Sequence, residues 1–138
     1  MIVIYGCGQM GTHLALRLER QGHEVTVIDP DRLNLENLGQ EFKGELIMGL
    51  GIDKDVLKKA RITESEAFIA VSRDINTNIM CSLVAKRLFK VPRVIARIED
   101  PQLVELFRKF QIETISPTTD AANRIEELIL ETIVAKEA

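Results

Sequence analysis

The sequence predicts an α/β fold: a doubly wound, parallel, six-stranded sheet with helices on both faces. Continuous apolar runs, typical of strands that are buried on both sides, alternate with helical periodicity along all 138 residues. The connections are short, and no linker, repeat or low-complexity tract interrupts them. Right-handed crossovers favour the Rossmann-type strand order 3-2-1-4-5-6. We therefore predict a single domain over residues 1–138.

The six predicted strands are apolar segments that end at polar or turn-forming residues. The first is MIVIY, which contains no charged residue, and the fourth and fifth are EAFIAVS and RVIARI. β-branched residues are frequent in these segments, as expected for strands. The predicted strands cover residues 1–5, 23–29, 44–49, 66–72, 93–98 and 112–116.

The helices between the strands are predicted from apolar spacing and from residues that start or stop a helix. Gly22 is placed as a C-cap, Pro30 at a first helical position and Asp53 as an N-cap, and Pro92 stops the fourth helix. Asp100 and the proline after it form a cap and first-turn pair. The predicted helices cover residues 9–22, 30–42, 53–60, 74–90, 100–110 and 117–138.

Composition argues against several classes of function. The formal net charge is −3 and only 4% of residues are aromatic, so we expect no nucleic-acid binding. The basic run at residues 57–61 lies on a helical pattern and is interpreted as a solvated face. Cys7 and Cys81 match no metal spacing, which indicates a reducing, cytosolic setting. We expect neither a signal peptide nor a membrane span, so a membrane role would require a partner.

A glycine motif links the first strand to the first helix. Gly6, Gly8 and Gly11 have the G-x-G-x-x-G spacing, and Asp29 ends the second strand 18 residues after Gly11. This arrangement matches the dinucleotide-binding fingerprint, in which the acid lies roughly 20 residues further on. We predict that Gly6 makes the turn, Gly8 admits a pyrophosphate and Gly11 allows close packing of the helix. The alternative is a tight turn without a ligand.

Asp29 has two interpretations. As a ribose ligand it would accept hydrogen bonds from both hydroxyls and repel a 2′-phosphate, which favours NAD or an adenine nucleotide over NADP. As the residue before Pro30 it could also serve only as a helix cap. Arg32 is interpreted as solvated or as a lid over the adenine.

The sequence shows no catalytic constellation. Cys7 is interpreted as a small residue tolerated beside the ligand, with a reactive thiolate as the alternative. His13 lies on the apolar side of the predicted helix, so we expect a packed core histidine. Six β-α units use all 138 residues and leave nothing to hold a substrate against a nicotinamide. We therefore expect a nucleotide that is sensed rather than consumed, and no enzyme activity.

Four stretches resemble the TrkA N-terminal (KTN, or RCK N-lobe) domain of Trk/Ktr potassium-transport regulatory proteins. They are residues 1–31, EAFIAVSRDINTNIMCSLVAKR, RVIARIEDP and IETISPTTDAANRIEELI, and together they cover nearly the whole chain. The resemblance implies a cytosolic regulatory subunit that binds NAD(H) or ATP/ADP. Its partner would be a membrane potassium channel or transporter at the inner face of the cell membrane. It also implies homodimers, which often build rings.

The resemblance also implies a set of nucleotide contacts. They lie in the glycine loop, at the end of the second strand, and after the third, fourth and fifth strands. Arg97 has an alternative role as a strand-end ion pair with Glu99 or Asp100. The cofactor-binding residues implied or predicted are Gly6, Cys7, Gly8, Gln9, Met10, Gly11, Asp29, Arg32, Gly51, Ile52, Val71, Ser72 and Arg97.

The sequence departs from the family pattern at three places. Gln9 stands where many members carry an arginine that can reach a terminal phosphate, and Leu50 follows Gly49 where an aspartate is usual. The sequence also ends at Ala138, before the C-terminal lobe that many members carry.

The last predicted helix, residues 117–138, carries an apolar stripe. The pattern is equally compatible with a helix that folds back on its own sheet and with one that pairs with a second subunit, and the resemblance favours pairing. The stripe consists of Ile125, Leu128, Ile129, Thr132 and Ile133, widened by Leu130 and Val134.

Two other functions compete with a nucleotide-sensing regulator. One is an NAD-dependent oxidoreductase fragment whose substrate domain lies on another chain. The other is a methyltransferase, which is disfavoured because no acidic residue precedes the glycines and a helix follows the last strand.

Overall fold

The computed structural model describes residues 1–137 and confirms the predicted α/β architecture. The strands are β1 (Ile2–Tyr5), β2 (Val25–Asp29), β3 (Glu45–Met48), β4 (Ala67–Ala70), β5 (Arg93–Arg97) and β6 (Glu113–Ile115). The helices are α1 (Gln9–Arg20), α2 (Arg32–Glu36), α3 (Lys54–Lys59), α4 (Ile75–Leu83), α5 (Pro101–Lys109) and α6 (Pro117–Glu137). The final residue of the predicted last helix, Ala138, lies outside the described residues.

The sheet has the predicted order β3-β2-β1-β4-β5-β6, and every strand pair is parallel. β1 pairs with both β2 and β4, so the direction of winding reverses between β1 and β4. Tyr5 lies opposite Ile28 on one side and Ala70 on the other. In doubly wound folds, the crevice outside the carboxyl ends of the strands at this reversal is where ligands bind.

A hydrophobic core fills each face of the sheet. On one face, Phe68 packs with Leu57 of α3, Cys81 of α4 and Phe107 of α5. On the other face, Ile4 and Val27 pack with Ala15 of α1 and Leu35 of α2. The central strands β1, β2 and β4 are covered on both sides, which explains their continuous apolar sequences. The edge strands β3 and β6 are largely exposed or only partly buried.

The second helix is shorter than predicted and starts later. Its N-cap is Asp31, whose side chain accepts a hydrogen bond from the Leu33 N–H at 2.9 Å, so Pro30 is not the first helical residue. After Glu36 the chain continues in turns with i→i−3 hydrogen bonds and reaches Gly39 at φ +65°. A left-handed residue ends helical geometry, so the predicted helix over 30–42 is wrong beyond Glu36.

The fourth predicted helix consists of an α-helix followed by a π-helical turn. α4 ends at Leu83 and residues Val84–Leu88 follow with π geometry. The Arg87 guanidinium lies 5.2 Å from the centre of the Phe110 ring, which holds the wider turn against the chain after α5.

α6 leaves the body of the fold. It runs over 21 residues and buries none of its side chains. Its large apolar side chains from Ile125 to Val134 are 44–63% exposed. The helix therefore does not fold back on its own sheet in this structure.

Over residues 1–137, α6 and the other helices are each too short or too polar to cross a bilayer.

Candidate functional site

Gly6 and Gly11 are required by packing in the loop between β1 and α1. Gly6 has φ +105°, and a Cβ there would lie 2.5 Å from the Ser72 backbone nitrogen. A Cβ on Gly11 would overlap the carbonyl oxygen of Gly6 and lie 2.8 Å from its carbonyl carbon. These two glycines bring the loop against the end of β4 and α1 against the loop, the packing predicted from the motif.

Gly8 differs because a Cβ there would meet no atom within 4 Å. Its φ of −79° is open to any residue, so neither the backbone nor the packing requires glycine. The space in front of Gly8 is the crevice itself. A glycine that the fold does not need, facing a crevice, matches the position at which the motif lets a pyrophosphate approach the backbone.

The amino end of α1 is open to an anion. Gly8 is the N-cap of α1 and provides no side-chain acceptor, and no acidic residue lies in the first turn. By contrast, α2 to α5 each begin with an aspartate that accepts a backbone N–H: Asp31, Asp53, Asp74 and Asp100. The first intrahelical bond runs from the Thr12 N–H to the Gly8 carbonyl at 3.0 Å, so the N–H groups before it can face a ligand.

Asp29 ends β2 beside this loop and is only 4% exposed. Its Oδ2 accepts the Cys7 N–H at 2.7 Å, and its Oδ1 accepts the Asp31 N–H at 2.8 Å and the Asn34 side-chain amide at 3.2 Å. Since a carboxylate has about four acceptor positions, one is left for a donor from the crevice. Asp29 is not the N-cap of α2, so the interpretation that it serves only as a helix cap is wrong.

The crevice has two arms that meet at Gly8 and Gln9. The acidic arm, of about 400 Å³, lies over the ends of β1 and β2 and contains three carboxylates. The basic arm, of about 470 Å³, lies over the ends of β4 and β5 and contains two guanidinium groups and an imidazole. The acidic arm includes Tyr5, Asp29, Asp31, Asn34, Asn37, Leu50, Ser72, Arg73, Asp74 and Thr77. The basic arm adds Met10, His13, Val71, Arg73 and Arg97.

A buried amide holds the ends of β4 and β5 together under the crevice. Asn78 of α4 accepts the Ser72 N–H at 3.0 Å and the Ser72 hydroxyl at 2.7 Å. Its side-chain NH₂ donates to the Ser72 carbonyl at 2.9 Å and to the Arg97 carbonyl at 3.2 Å. The backbone positions of two predicted contact residues, Ser72 and Arg97, are therefore fixed by the same side chain.

Two side chains with dissociable protons near the crevice are held neutral. Burial raises the pKa of the Cys7 thiol, whose Sγ lies 3.5 Å from the Thr12 hydroxyl. Burial likewise raises the pKa of Tyr5 to about 12. A fully buried thiol with a raised pKa is a poor nucleophile, which supports the interpretation of Cys7 as a small packing residue.

The structure corrects the prediction for His13. This residue is exposed and lines the basic arm, instead of packing in the core. The buried residues of α1 are Gly11 and Ala15, which lie on one face of the helix. His13 lies on a different face.

Several predicted contact residues lie away from the crevice. A Cβ on Gly51 would be 2.7 Å from the Cys81 sulfur and 2.9 Å from the Tyr5 ring, so Gly51 is packed there, and Leu50 lines the acidic arm in its place. Ile52 is exposed outside either arm. Arg32 pairs with Glu36 at 3.7 Å on the surface and does not cover the acidic arm.

Sequence reasoning missed Arg73, which lines both arms. It also missed Asp74 and Thr77 at the start of α4, and Asn34 on α2. A signal was present, because Arg73 directly follows the end of the fourth predicted strand, at the edge where ligands bind.

Comparison with known proteins shows the family of this chain. The model of the TrkA-N domain family matches residues 2–117, which is most of the chain. The chain belongs to the TrkA-N family. The TrkA-N chain is also 42% identical over 129 residues to the Trk system potassium uptake protein TrkA of Streptomyces coelicolor. That alignment covers 94% of this chain and 58% of the relative, so the chain spans about three fifths of that curated relative.

Solved structures share the fold of the TrkA-N chain. The TrkA-N domain of the inner membrane protein ybaL from Escherichia coli superposes with a TM-score of 0.81 at 16% identity, covering 92% of this chain and 94% of that one. The GsuK channel bound to NAD superposes with a TM-score of 0.69 at 22% identity, covering 83% of this chain and 21% of the channel. GsuK has also been solved bound to ADP, with a TM-score of 0.68 at 22% identity, covering 83% of this chain and 30% of that one.

Proposed function

We propose that the TrkA-N chain is a nucleotide-binding regulatory subunit, and that the ligand is NAD(H) or ATP/ADP. The observation that carries the proposal is the uncapped amino end of α1, which opens at Gly8 next to the Asp29 carboxylate. GsuK, which shares this fold, has been solved with NAD and with ADP.

The proposed ligand places its diphosphate on the N–H groups of the first turn of α1 and its ribose on Asp29. The dipole of a helix of 12 residues favours negative charge at this end without a basic side chain. One ribose hydroxyl donates to the free acceptor position of Asp29. The other displaces the Asn34 amide, whose bond of 3.2 Å is the longest of the three that Asp29 accepts.

The proposed target is a membrane potassium channel or transporter, because the TrkA relative is named as a potassium uptake protein. In this role the nucleotide is sensed and not transformed, and the subunit is not an enzyme. We place it in the cytoplasm, bound at the inner face of the membrane through its partner. The nucleotide acts by favouring one arrangement of subunits over another.

A homodimer formed through α6 is part of the proposal. The apolar side chains of α6 are exposed in the single chain, and isologous dimers are the commonest soluble assemblies. We expect the wild-type chain to show twice its monomer mass by size-exclusion chromatography with light scattering. Ile129→Glu, which buries a carboxylate in the apolar contact, should give a monomer.

The control for this prediction is Glu131→Lys, two residues further along on the polar side of α6. It changes the charge without entering the stripe, so the dimer should persist. A monomeric wild-type chain, or a dimer that survives Ile129→Glu, would contradict pairing through α6.

Gly8→Ala tests nucleotide binding without disturbing the fold. An added methyl meets no protein atom but occupies the space of the diphosphate. We expect the melting temperature of the free chain to change by less than about 2 °C, since the backbone there suits alanine. Affinity for ADP and NADH, measured by titration calorimetry, should fall at least about tenfold.

The wild-type chain provides the reference for this test. A ligand at 100 times its dissociation constant should stabilise it by about 2.7 kcal/mol. Gln21→Ala, at the other end of α1, should bind like wild type. No binding of any adenine nucleotide by the wild-type chain would refute the proposal, and hydride transfer to a small substrate would favour the oxidoreductase alternative.

A further inference from the structure

The strand β3 forms one edge of the sheet and exposes apolar side chains there. It pairs with β2 on one side, and its sequence contains no proline and no basic residue. Leu46 is 42% exposed and Met48 is 61% exposed. Natural sheet edges are usually protected by lysine, proline or bulges, because an apolar edge can pair with another chain. At the other edge, by contrast, Glu113 of β6 forms an ion pair with Arg93.

The lysine that precedes β3 is bonded within its own chain. The Lys43 Nζ donates to the Gln40 carbonyl at 3.3 Å, and the Lys43 backbone N–H donates to the Glu19 carboxylate at 2.8 Å. Both bonds hold this segment against the loop before β3 and against α1. The charge of Lys43 is therefore directed to its own loop and leaves the edge of β3 open.

The open edge of β3 also presents backbone hydrogen-bonding groups. The Gly49 N–H, just after the strand, donates to the Asp29 carbonyl of β2 at 3.1 Å. The backbone groups of successive residues in a strand point to opposite edges, so those of Ile47 also face β2. The N–H and carbonyl groups of Leu46 and Met48 consequently point away from β2, where an additional strand can bond them.

A second copy of the chain matches this edge in one antiparallel register. A two-fold axis through Ile47 places Leu46 opposite Met48 of the second copy, and Met48 opposite its Leu46. Each such pair exchanges two backbone hydrogen bonds and brings its side chains together on one face of the joined sheet. Glu45 then lies opposite a glycine, Gly49, so no two carboxylates oppose each other. An isologous contact requires this kind of self-complementarity.

The helix α2 adds complementary charge about the same axis. A groove of about 400 Å³ lies between α2 and β3. Because α2 connects two parallel strands, it runs antiparallel to β3, with Arg32 toward one end of the strand and Glu36 toward the other. The two-fold axis reverses this order in the second copy, so each Arg32 faces a Glu36 of the other chain. The groove is lined by Arg32, Leu35, Glu36, Gly39 and Leu46.

These two charged side chains are free to form such contacts. Within one chain the Arg32 Nε lies 3.7 Å from the Glu36 carboxylate, and both side chains are mostly exposed. An exposed pair of this kind contributes little to the stability of the single chain. Exchange of partners across the axis therefore costs the single chain little and adds two ion pairs to the contact.

We propose that β3 and α2 form a self-association surface, on which two copies of the chain pair antiparallel and join their sheets. The surface is independent of nucleotide binding. It is also separate from α6, because β3 and β6, the strand before α6, lie at opposite ends of the sheet. A contact built on a strand of four residues is small and hence weak, so it forms at high local concentration. Chains that pair through α6 would be linked by β3 into larger assemblies.

Sedimentation equilibrium at increasing protein concentration tests this surface in the Ile129→Glu variant, in which α6 carries a charge in its apolar stripe. We expect a reversible monomer–dimer equilibrium with a dissociation constant between about 10 μM and about 1 mM. Chromatography dilutes the chain below this range, so the mass measured there reports on α6. Over the same range the wild-type chain should pass from dimer toward tetramer.

Leu46→Lys, introduced into the Ile129→Glu variant, should weaken this association at least about tenfold. The lysine places a charge among the apolar side chains of the contact and protects the edge as lysines do in natural sheets. The matched control is Leu106→Lys on α5, since Leu106 is 44% exposed and Leu46 is 42% exposed. The control should leave the dissociation constant within about twofold.

A charge exchange tests the two-fold arrangement. Arg32→Glu alone should weaken association at least about threefold, because carboxylates then face each other twice across the axis. Arg32→Glu combined with Glu36→Arg should restore it. Melting temperatures within about 3 °C of the parent variant would show that these changes act at the surface and not on folding.

The contradicting results are distinct from those for nucleotide binding. A chain with Ile129→Glu that stays monomeric up to about 1 mM, or equal effects of Leu46→Lys and Leu106→Lys, would overturn the β3 surface. A combined charge exchange that fails to restore association would refute the two-fold register. None of these results bears on nucleotide affinity, which is measured with Gly8→Ala.

Discussion

Gly11→Ala should destabilise the TrkA-N chain by more than about 3 kcal/mol, which is the upper range for overpacking a protein interior. The added Cβ overlaps the Gly6 carbonyl oxygen and lies 2.8 Å from the Gly6 carbonyl carbon. Gly6 is held in place, because its N–H donates to the Ile28 carbonyl at 2.9 Å and the loop there is so close to β4 that a Cβ on Gly6 would lie 2.5 Å from the Ser72 nitrogen. Relief therefore requires α1 to shift from the sheet.

Urea denaturation monitored by circular dichroism measures the loss in the free energy of unfolding, and thermal denaturation measures the change in melting temperature. At about 2–4 °C per kcal/mol for a chain of this size, the melting temperature should fall by at least about 6 °C, or the variant should fail to fold. Gly8→Ala provides the matched control, because it makes the same change three residues earlier in open space. Similar stability losses in both variants would show that the loop geometry described for Gly11 is wrong.

The sheet was predictable because burial on both faces leaves a strong signal in the sequence. Val3, Ile4 and Phe68 are fully buried, so the chain can place only apolar residues there, and the strand order follows from short right-handed connections. Ends of elements depend on weaker, local interactions. The stop after Glu36 depends on a change from i→i−4 to i→i−3 bonding that apolar spacing does not encode.

The lining of the candidate site was predictable where the backbone forms it and less so where side chains do. Gly8 and Asp29 were placed correctly at the crevice because a turn and a strand end fix their positions. Arg73 was missed because the sequence does not distinguish a charged residue that is solvated after a strand from one that faces a cavity. Gly51 was assigned from a resemblance, and its packing against Tyr5 and Cys81 is a contact between distant parts of the chain.

Asp29→Ala should have the largest effect on nucleotide affinity of any single substitution at the crevice, and it should also destabilise the free chain. The carboxylate accepts three hydrogen bonds while 4% exposed, so its removal leaves the Cys7 and Asp31 N–H groups without an acceptor. Each buried polar group left unsatisfied costs about 1–3 kcal/mol, so the two N–H groups predict a total loss of about 2–6 kcal/mol.

The Asp29→Ala substitution should lower nucleotide affinity in two ways. The ribose loses its acceptor, and the loop at Cys7, which Asp29 holds against β2, is no longer fixed in the geometry that presents the amino end of α1. We expect affinity for ADP to fall at least about 100-fold, since hydrogen bonds to a charged group contribute about 1.5–3 kcal/mol each. Calorimetric titration at a temperature well below the melting temperature of the variant measures this loss.

Asp53→Ala separates the two roles of Asp29 from the general effect of losing an aspartate at a helix start. Asp53 is exposed, accepts one N–H from Asp55 at 2.8 Å and caps α3 away from the crevice. Its loss should reduce stability by about 1 kcal/mol and leave ADP affinity unchanged. If Asp29→Ala lowers stability but binds ADP like wild type, the Asp29 carboxylate is a structural acceptor for the loop, and the ribose lies elsewhere in the crevice.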